Sequence, residues 1–163
     1  HMTTTTGGAA GVFGWMDGGG KGESPIRLRQ KMQEIMWEKV GVIRNEKDMK
    51  SALAWFSEAK EELLPRTRIG TRAATFNVEW STAIILPHQL DTCMMVARAA
   101  LERTESRGNH HRDDYLAIDN ENWLRNVYVN RGEDGSAQIR TAPVHVTGVD
   151  PKEVIDERPE IAV

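Results

Sequence analysis

Between Arg103 and Tyr115 the chain gathers three arginines, three carboxylates and two histidines around a single glycine, Gly108. Side chains of these types hold a metal, bind a substrate or lock a turn. His110, His111 and Asp113, with Asp114 beside them, are metal-ligand types, but zinc needs three or four donors that converge. Adjacent histidines in a loop diverge, and the helical His-x-x-x-His spacing is missing, so a structural role is favoured over a metal centre. Arg107 could orient an anionic ligand. The alternative is that Glu105 and Arg107 lock the turn through charge-assisted hydrogen bonds. Locking is favoured, because a helix C-terminus is a poor place to attract an anion. Ser106 lacks the glycine-flanked elbow of a nucleophilic serine. The expectation is a fixed polar network of Glu105, Arg107, Gly108 and His110. In it Arg107 and His110 donate to the last helix carbonyls, and Gly108 takes a positive backbone angle. No catalytic, cofactor-binding or metal-binding residue is expected.

Helices must position that loop. Ser24 followed by Pro25 marks a helix start, and Ile26, Met32, Ile35, Met36 and Val40 carry helical spacing to about Lys39, before Gly41. Asn45, Glu46 and Asp48 open a second helix, whose stripe of Met49, Leu53, Phe56, Ala59, Leu63 and Leu64 ends at Pro65. Asn77 caps a third, running through Ala83, Leu86, Leu90, Met94, Ala97 and Leu101 to about Arg103. Pro87 inside it removes a backbone donor and favours a kink or a break. Trp123 to Val129 alternates and is β-branched, Gly132 to Gly135 supplies a turn, and Gln138 to Thr141 pairs back as a hairpin. The fold class is therefore mostly α: a three-helix up-down-up bundle followed by a short extended or hairpin region. Trp37 and Trp55 fall out of phase with the apolar stripes, and on the surface they would mark a contact with a further domain. Cys93 reads as a small core residue.

The divisions expected are a Gly- and Thr-rich flexible lead-in over 1–23, a helical domain over 24–143, and an extended tail over 144–163. His1-Met2 reads as a cloning scar. Val12, Phe13, Trp15 and Met16 are unusual for a linker and suggest docking on the body or on a neighbour. The run Gly18 to Ser24 lacks the spacing of a phosphate-binding loop. The chain has 163 residues and a net charge of −3, which gives no basic excess for nucleic acid. One cysteine forms no internal disulfide, so a reducing, cytoplasmic location is expected. Apolar runs as short as Ala83 to Leu86 do not insert into a membrane.

Arg103-Thr104-Glu105-Ser106-Arg107-Gly108, with His110, Arg112, Asp114 and Tyr115 following, resembles the C-terminal region of succinate dehydrogenase and fumarate reductase flavoprotein subunits. So does Asp119-Asn120-Glu121-Asn122-Trp123-Leu124, and the resemblance extends from about Leu28 to about Pro143. It implies a C-terminal helical domain with a structural and subunit-packing role, inactive alone. FAD would reside in the full-length subunit and not in this chain. Implied partners are the flavin-binding domain of the same subunit and the iron–sulfur subunit, with location peripheral to the inner membrane through the parent complex. The family's flavin- and substrate-binding residues lie upstream, so no catalytic residue carries over. The chain departs from the family pattern at Leu116, where proline is usual, at Pro87 and in its Gly-rich start. Aspartate oxidase and adenylylsulfate reductase flavoproteins share the architecture, and a stand-alone helical interaction module is the remaining alternative.

Overall fold

The structure, a computed structural model, describes residues 22–149 except 72, 74, 134 and 135. The expected lead-in therefore lies almost wholly outside the described residues, as do the tail beyond residue 149 and part of the hairpin turn. Among the described residues three α-helices carry the fold: α1 (Pro25–Val40), α2 (Glu46–Glu58) and α3 (Val78–Glu102). Between the first two lies β1 (Ile43–Arg44), and after the third come β2 (His111–Arg112), β3 (Arg125–Arg131) and β4 (Ala137–Pro143). The mostly helical class with a small hairpin is the one that the periodicity predicts.

Local chemistry sets the helix starts. Asn45 accepts from the Asp48 amide at 2.8 Å and donates to the Asp48 carboxylate at 2.8 Å, and Asn77 accepts from the Trp80 amide at 3.0 Å. Both satisfy first-turn donors that otherwise lack partners. Ser24 departs from expectation. It occupies the cap position, but its hydroxyl makes no capping bond, and the start rests on Pro25, whose ring presets the helical φ.

The core lies where the three stripes meet: Leu28, Met32 and Ile35 from α1, Ala52 and Phe56 from α2, and Leu86, Leu90 and Ala97 from α3. Burial of this shared apolar surface is what stabilises helices that would be marginal alone. The third helix runs from Val78 to Glu102 with Pro87 inside it, so no break occurs there; fully buried Ala83, Leu86 and Leu90 on either side hold it against the bundle. One departure from the sequence reading stands beside this. The second helix leaves α geometry at Ala59, where a wider turn over Ala59–Leu63 closes with Leu64 N–H on Ala59 O, and a tight turn over Leu64–Arg66 follows. The extra residue keeps both Ala59 and Leu64 buried, which a straight helix ending at Pro65 does not require. Trp55 is half-buried and edge-on to Phe56 (5.7 Å). Of the two tryptophans expected at the surface, only Trp37 stands out, 84% exposed.

The hairpin pairs Arg125 with Pro143 through Arg131 with Ala137 in antiparallel register. The other pairing leaves no mark in the periodicity: β1 and β2 run parallel, with Ile43 opposite His111 and Arg44 opposite Arg112. Amides of His111 and Asp113 donate to Val42 O (3.1 Å) and Arg44 O (3.0 Å). This two-residue ladder ties the α1–α2 connection to the loop after α3.

Candidate functional site

Two buried charged groups organise that loop. Glu105 has 0% exposure. Its Oε1 accepts from Arg107 Nε (2.8 Å) and from Arg103 Nη1, and its Oε2 accepts from Arg107 Nη2 (3.0 Å) and the Asp119 amide (2.8 Å). Burial alone would raise its pKa, but the Arg107, Asp119 and Arg103 donors hold it below the usual carboxylate value. Arg107 also donates to Asn120 Oδ1 at 2.8 Å, so the pair clamps the 119–120 segment onto the end of α3.

Arg112, also fully buried, is the second organiser. Its Nη1 donates to the α3-terminal carbonyls of Ala100 (3.4 Å), Leu101 (3.2 Å) and Arg103 (2.9 Å). Its Nε and Nη2 form a bidentate pair with Asp114 at 2.7 and 2.8 Å. Asp114 Oδ2 in turn accepts from the Glu46 amide, the first residue of α2, at 2.9 Å. The cation therefore sits at the negative end of α3 and its carboxylate partner at the positive end of α2, each where the helix dipole favours it. The Arg112 hydrogen bonds, with help from Glu46, hold the Asp114 carboxyl at a pKa of about 2.

His110 completes the joint. Arg44 Nη1 lies 3.1 Å from His110 Nδ1, and His110 Nε2 lies 3.2 Å from Arg103 O. A guanidinium only donates and a carbonyl only accepts, so Nδ1 is the bare nitrogen and Nε2 carries the proton. Burial, with the Arg44, Arg112 and Arg103 charges nearby, pushes the ring's pKa down and keeps it neutral. Ser106 Oγ accepts from the Arg112 amide (2.8 Å) and donates to Tyr115 O (2.8 Å), which makes it a strut of the loop. Trp123 Nε1 donates to Thr104 Oγ1 at 2.9 Å, and Arg103 lies over the Trp123 ring.

Of the four residues named from sequence, Glu105 and Arg107 are bonded side chain to side chain. Gly108 has φ +57°, and His110 meets Arg107 only through the backbone, in a reciprocal pair at 2.8 and 3.0 Å. The expectation that Arg107 donates to the helix carbonyls is corrected. Arg112 does so together with His110, because the turn at Gly108 folds Arg112 back under α3 and points Arg107 outward to Asn120. Arg112, Asp114, Arg44 and Asn120 were not among the residues expected in the network from sequence. One signal was present: Arg112 and Asp114 repeat the i, i+2 opposite-charge spacing of Glu105 and Arg107, which in extended chain puts both on one face.

The arrangement is suited to holding segments together. Among the described residues Arg44, Arg103, Arg107 and Arg112 are all engaged by internal acceptors, which leaves none of these four as a dedicated grip for a dicarboxylate. Nor do the described residues fit a flavin dinucleotide, which needs a strand, a glycine turn and a helix N-terminus in succession. No group of three or more metal-ligand side chains lies together among the described residues.

The family model described as "Fumarate reductase flavoprotein C-term" matches residues 29–155. The chain is similar to the fumarate reductase flavoprotein subunit of Haemophilus influenzae, at 33% identity over 129 residues, covering 79% of this chain and 21% of that protein. It is similar to the succinate dehydrogenase flavoprotein subunit of Coxiella burnetii, at 36% identity over 129 residues, covering 79% of this chain and 22% of that protein. A chain of E. coli quinol fumarate reductase superposes with a TM-score of 0.72 at 28% identity, covering 88% of this chain and 25% of that one. A chain of the Mycobacterium smegmatis Sdh1 complex does so with a TM-score of 0.69 at 32% identity, covering 88% and 24%. The chain thus spans about a fifth to a quarter of the length of these relatives. With a match across most of its length and the same helical fold, this chain belongs to the family of fumarate reductase and succinate dehydrogenase flavoprotein C-terminal domains.

Proposed function

We propose that this chain serves as the C-terminal helical domain of a flavoprotein subunit that interconverts succinate and fumarate. In this reading it packs on the flavin-binding domain, helps to seat the iron–sulfur subunit and performs no chemistry itself. The relatives named for this activity carry about four-fifths of their length outside the matched region, and FAD would be held there. The observation that carries a structural role is the saturation of the post-helix loop. Glu105 and Arg112 are wholly buried and fully partnered by their own chain. Such a network fixes geometry and leaves little free to bind a substrate. No described helix is long and apolar enough to cross a membrane, so association with a membrane would come through partner subunits.

The test is direct. The purified chain should be colourless, retain no flavin after incubation with FAD and gel filtration, and show no fumarate reduction with a reduced viologen dye. Flavin absorbance that co-elutes with the chain, or turnover above the dye blank, would overturn this reading.

A further inference from the structure

Three guanidiniums surround the His110 ring: Arg44 from β1, Arg103 at the end of α3 and Arg112 from β2. The ring is half-buried between the α1–α2 connection and the loop after α3, with Arg44 Nη1 3.1 Å from Nδ1 and Arg103 O 3.2 Å from Nε2. The carboxylates of the same joint are already taken. Asp114 is held by Arg112, and Glu105 by Arg103 and Arg107. Glu46, at the start of α2, is paired with Lys50, and the His111 ring lies toward Asp113 (3.6 Å). A second proton on His110 would therefore set one cation against three others. It would also occupy the Nδ1 lone pair on which Arg44 donates.

The groups around the ring are not held equally. The His110 backbone is fixed by its reciprocal pair with Arg107 (2.8 and 3.0 Å), and Arg103 O also accepts from Arg112 (2.9 Å). Among the described residues Arg44 has one acceptor besides His110, Gly41 O at 2.7 Å, and no carboxylate. The strand that carries Arg44 is short. Two residues of β1 meet β2, through the His111 and Asp113 amides. The start of α2 is anchored separately, by the Glu46 amide on Asp114 (2.9 Å), a carboxylate that stays ionised down to a pH of about 2. None of these groups belongs to the apolar core.

We propose that His110 is an acid-sensitive latch built into the fold: a proton on Nδ1 releases Arg44, and with it β1 from β2, while the three-helix core stays folded. Arg44 is the group that yields, because a like-charge contact out of water is relieved most easily where no carboxylate ties the cation down. Opening takes up one proton, so the open joint becomes more populated as the pH falls through the ordinary histidine range. Global unfolding would free the ladder and the helices together, whereas the latch frees a two-residue ladder at lower cost.

Amide hydrogen exchange of this chain at pH 7.5 and 5.5, in a series of low urea concentrations, tests the latch. After correction for the intrinsic pH dependence of exchange, protection of the His111 and Asp113 amides should fall on acidification. The limit is about tenfold, set by one proton and an open-state pKa near 6.5. Their exchange should be nearly independent of urea, because a local opening exposes little surface, while the Leu90 and Ala97 amides of α3 should respond to it steeply. His110→Asn should abolish the acid effect. Arg44→Gln should reduce it, since the glutamine oxygen can accept from a protonated Nδ1. Protection that does not change with pH overturns the latch. So does urea dependence of the His111 and Asp113 amides equal to that of the core, which would leave only global unfolding. An acid effect that persists in His110→Asn removes the ring as its cause, and one untouched by Arg44→Gln removes Arg44 as the group released.

Discussion

His110 is the residue whose protonation state the fold decides. Its folded pKa lies below the ordinary 6.5 because of burial and three arginine charges. The folded state therefore binds fewer protons than the unfolded chain at mildly acidic pH, so stability is complete above about 6.5 and falls as pH drops toward the folded pKa. Denaturant midpoints measured from pH 7.5 to 5 should decline for the wild type and flatten for His110→Asn, and the ring's NMR titration should fall below 6.5. A midpoint at or above that value would contradict the geometry at Nδ1. Gly108 is simpler. A Cβ there would meet nothing within 4 Å, so Gly108→Ala should cost only its backbone strain at positive φ, about 1 kcal/mol by chemical denaturation.

At the scale of elements, Arg112 and Asp114 join the end of α3 to the start of α2, while Glu105 and Arg107 join the end of α3 to the 119–120 segment. The two links differ in exposure. The Arg112 side chain is 1% exposed and that of Arg107 is 34% exposed. Removing Asp114 leaves a buried guanidinium charge without its carboxylate and with two of its five acceptors gone, so Asp114→Ala should lose about 3 kcal/mol of unfolding free energy. Arg107→Ala should lose about 1 kcal/mol, since Glu105 keeps Arg103 and the Asp119 amide. A larger loss for Arg107→Ala than for Asp114→Ala would reverse the ranking of the two links. Asp114 also sets an acid limit. Its pKa is depressed from 3.8 to about 2, so its contribution is present above 3.8 and disappears as pH falls through about 2.

Across the described residues as a whole, one apolar core made by three helices supports one polar joint. Phe56 is fully buried in that core, and Phe56→Ala should lower stability by about 3–5 kcal/mol through lost burial and the cavity left behind. That loss should abolish amide protection in α1, α2 and α3 together, because each helix packs on the other two. Protection that survives in α3 alone would show the bundle to be less cooperative than its shared core implies.

Much of this was legible in the chain itself, for local reasons. Helices announce themselves through apolar spacing and through caps such as Asn45 and Asn77, whose bonds reach three residues along. The hairpin was legible from alternation on either side of Gly132 and Gly135, and Glu105 with Arg107 from their adjacency. What only the tertiary structure decided involves partners far apart in sequence. The pairing of Arg44 with Arg112 leaves no periodic trace in two-residue strands. The switch from Arg107 to Arg112 as donor to the α3 carbonyls depends on how the turn at Gly108 swings the following residues beneath the helix. Pro87 stays inside α3 because the bundle buries the residues around it, a gain that outweighs a lost backbone bond and that propensity alone does not see.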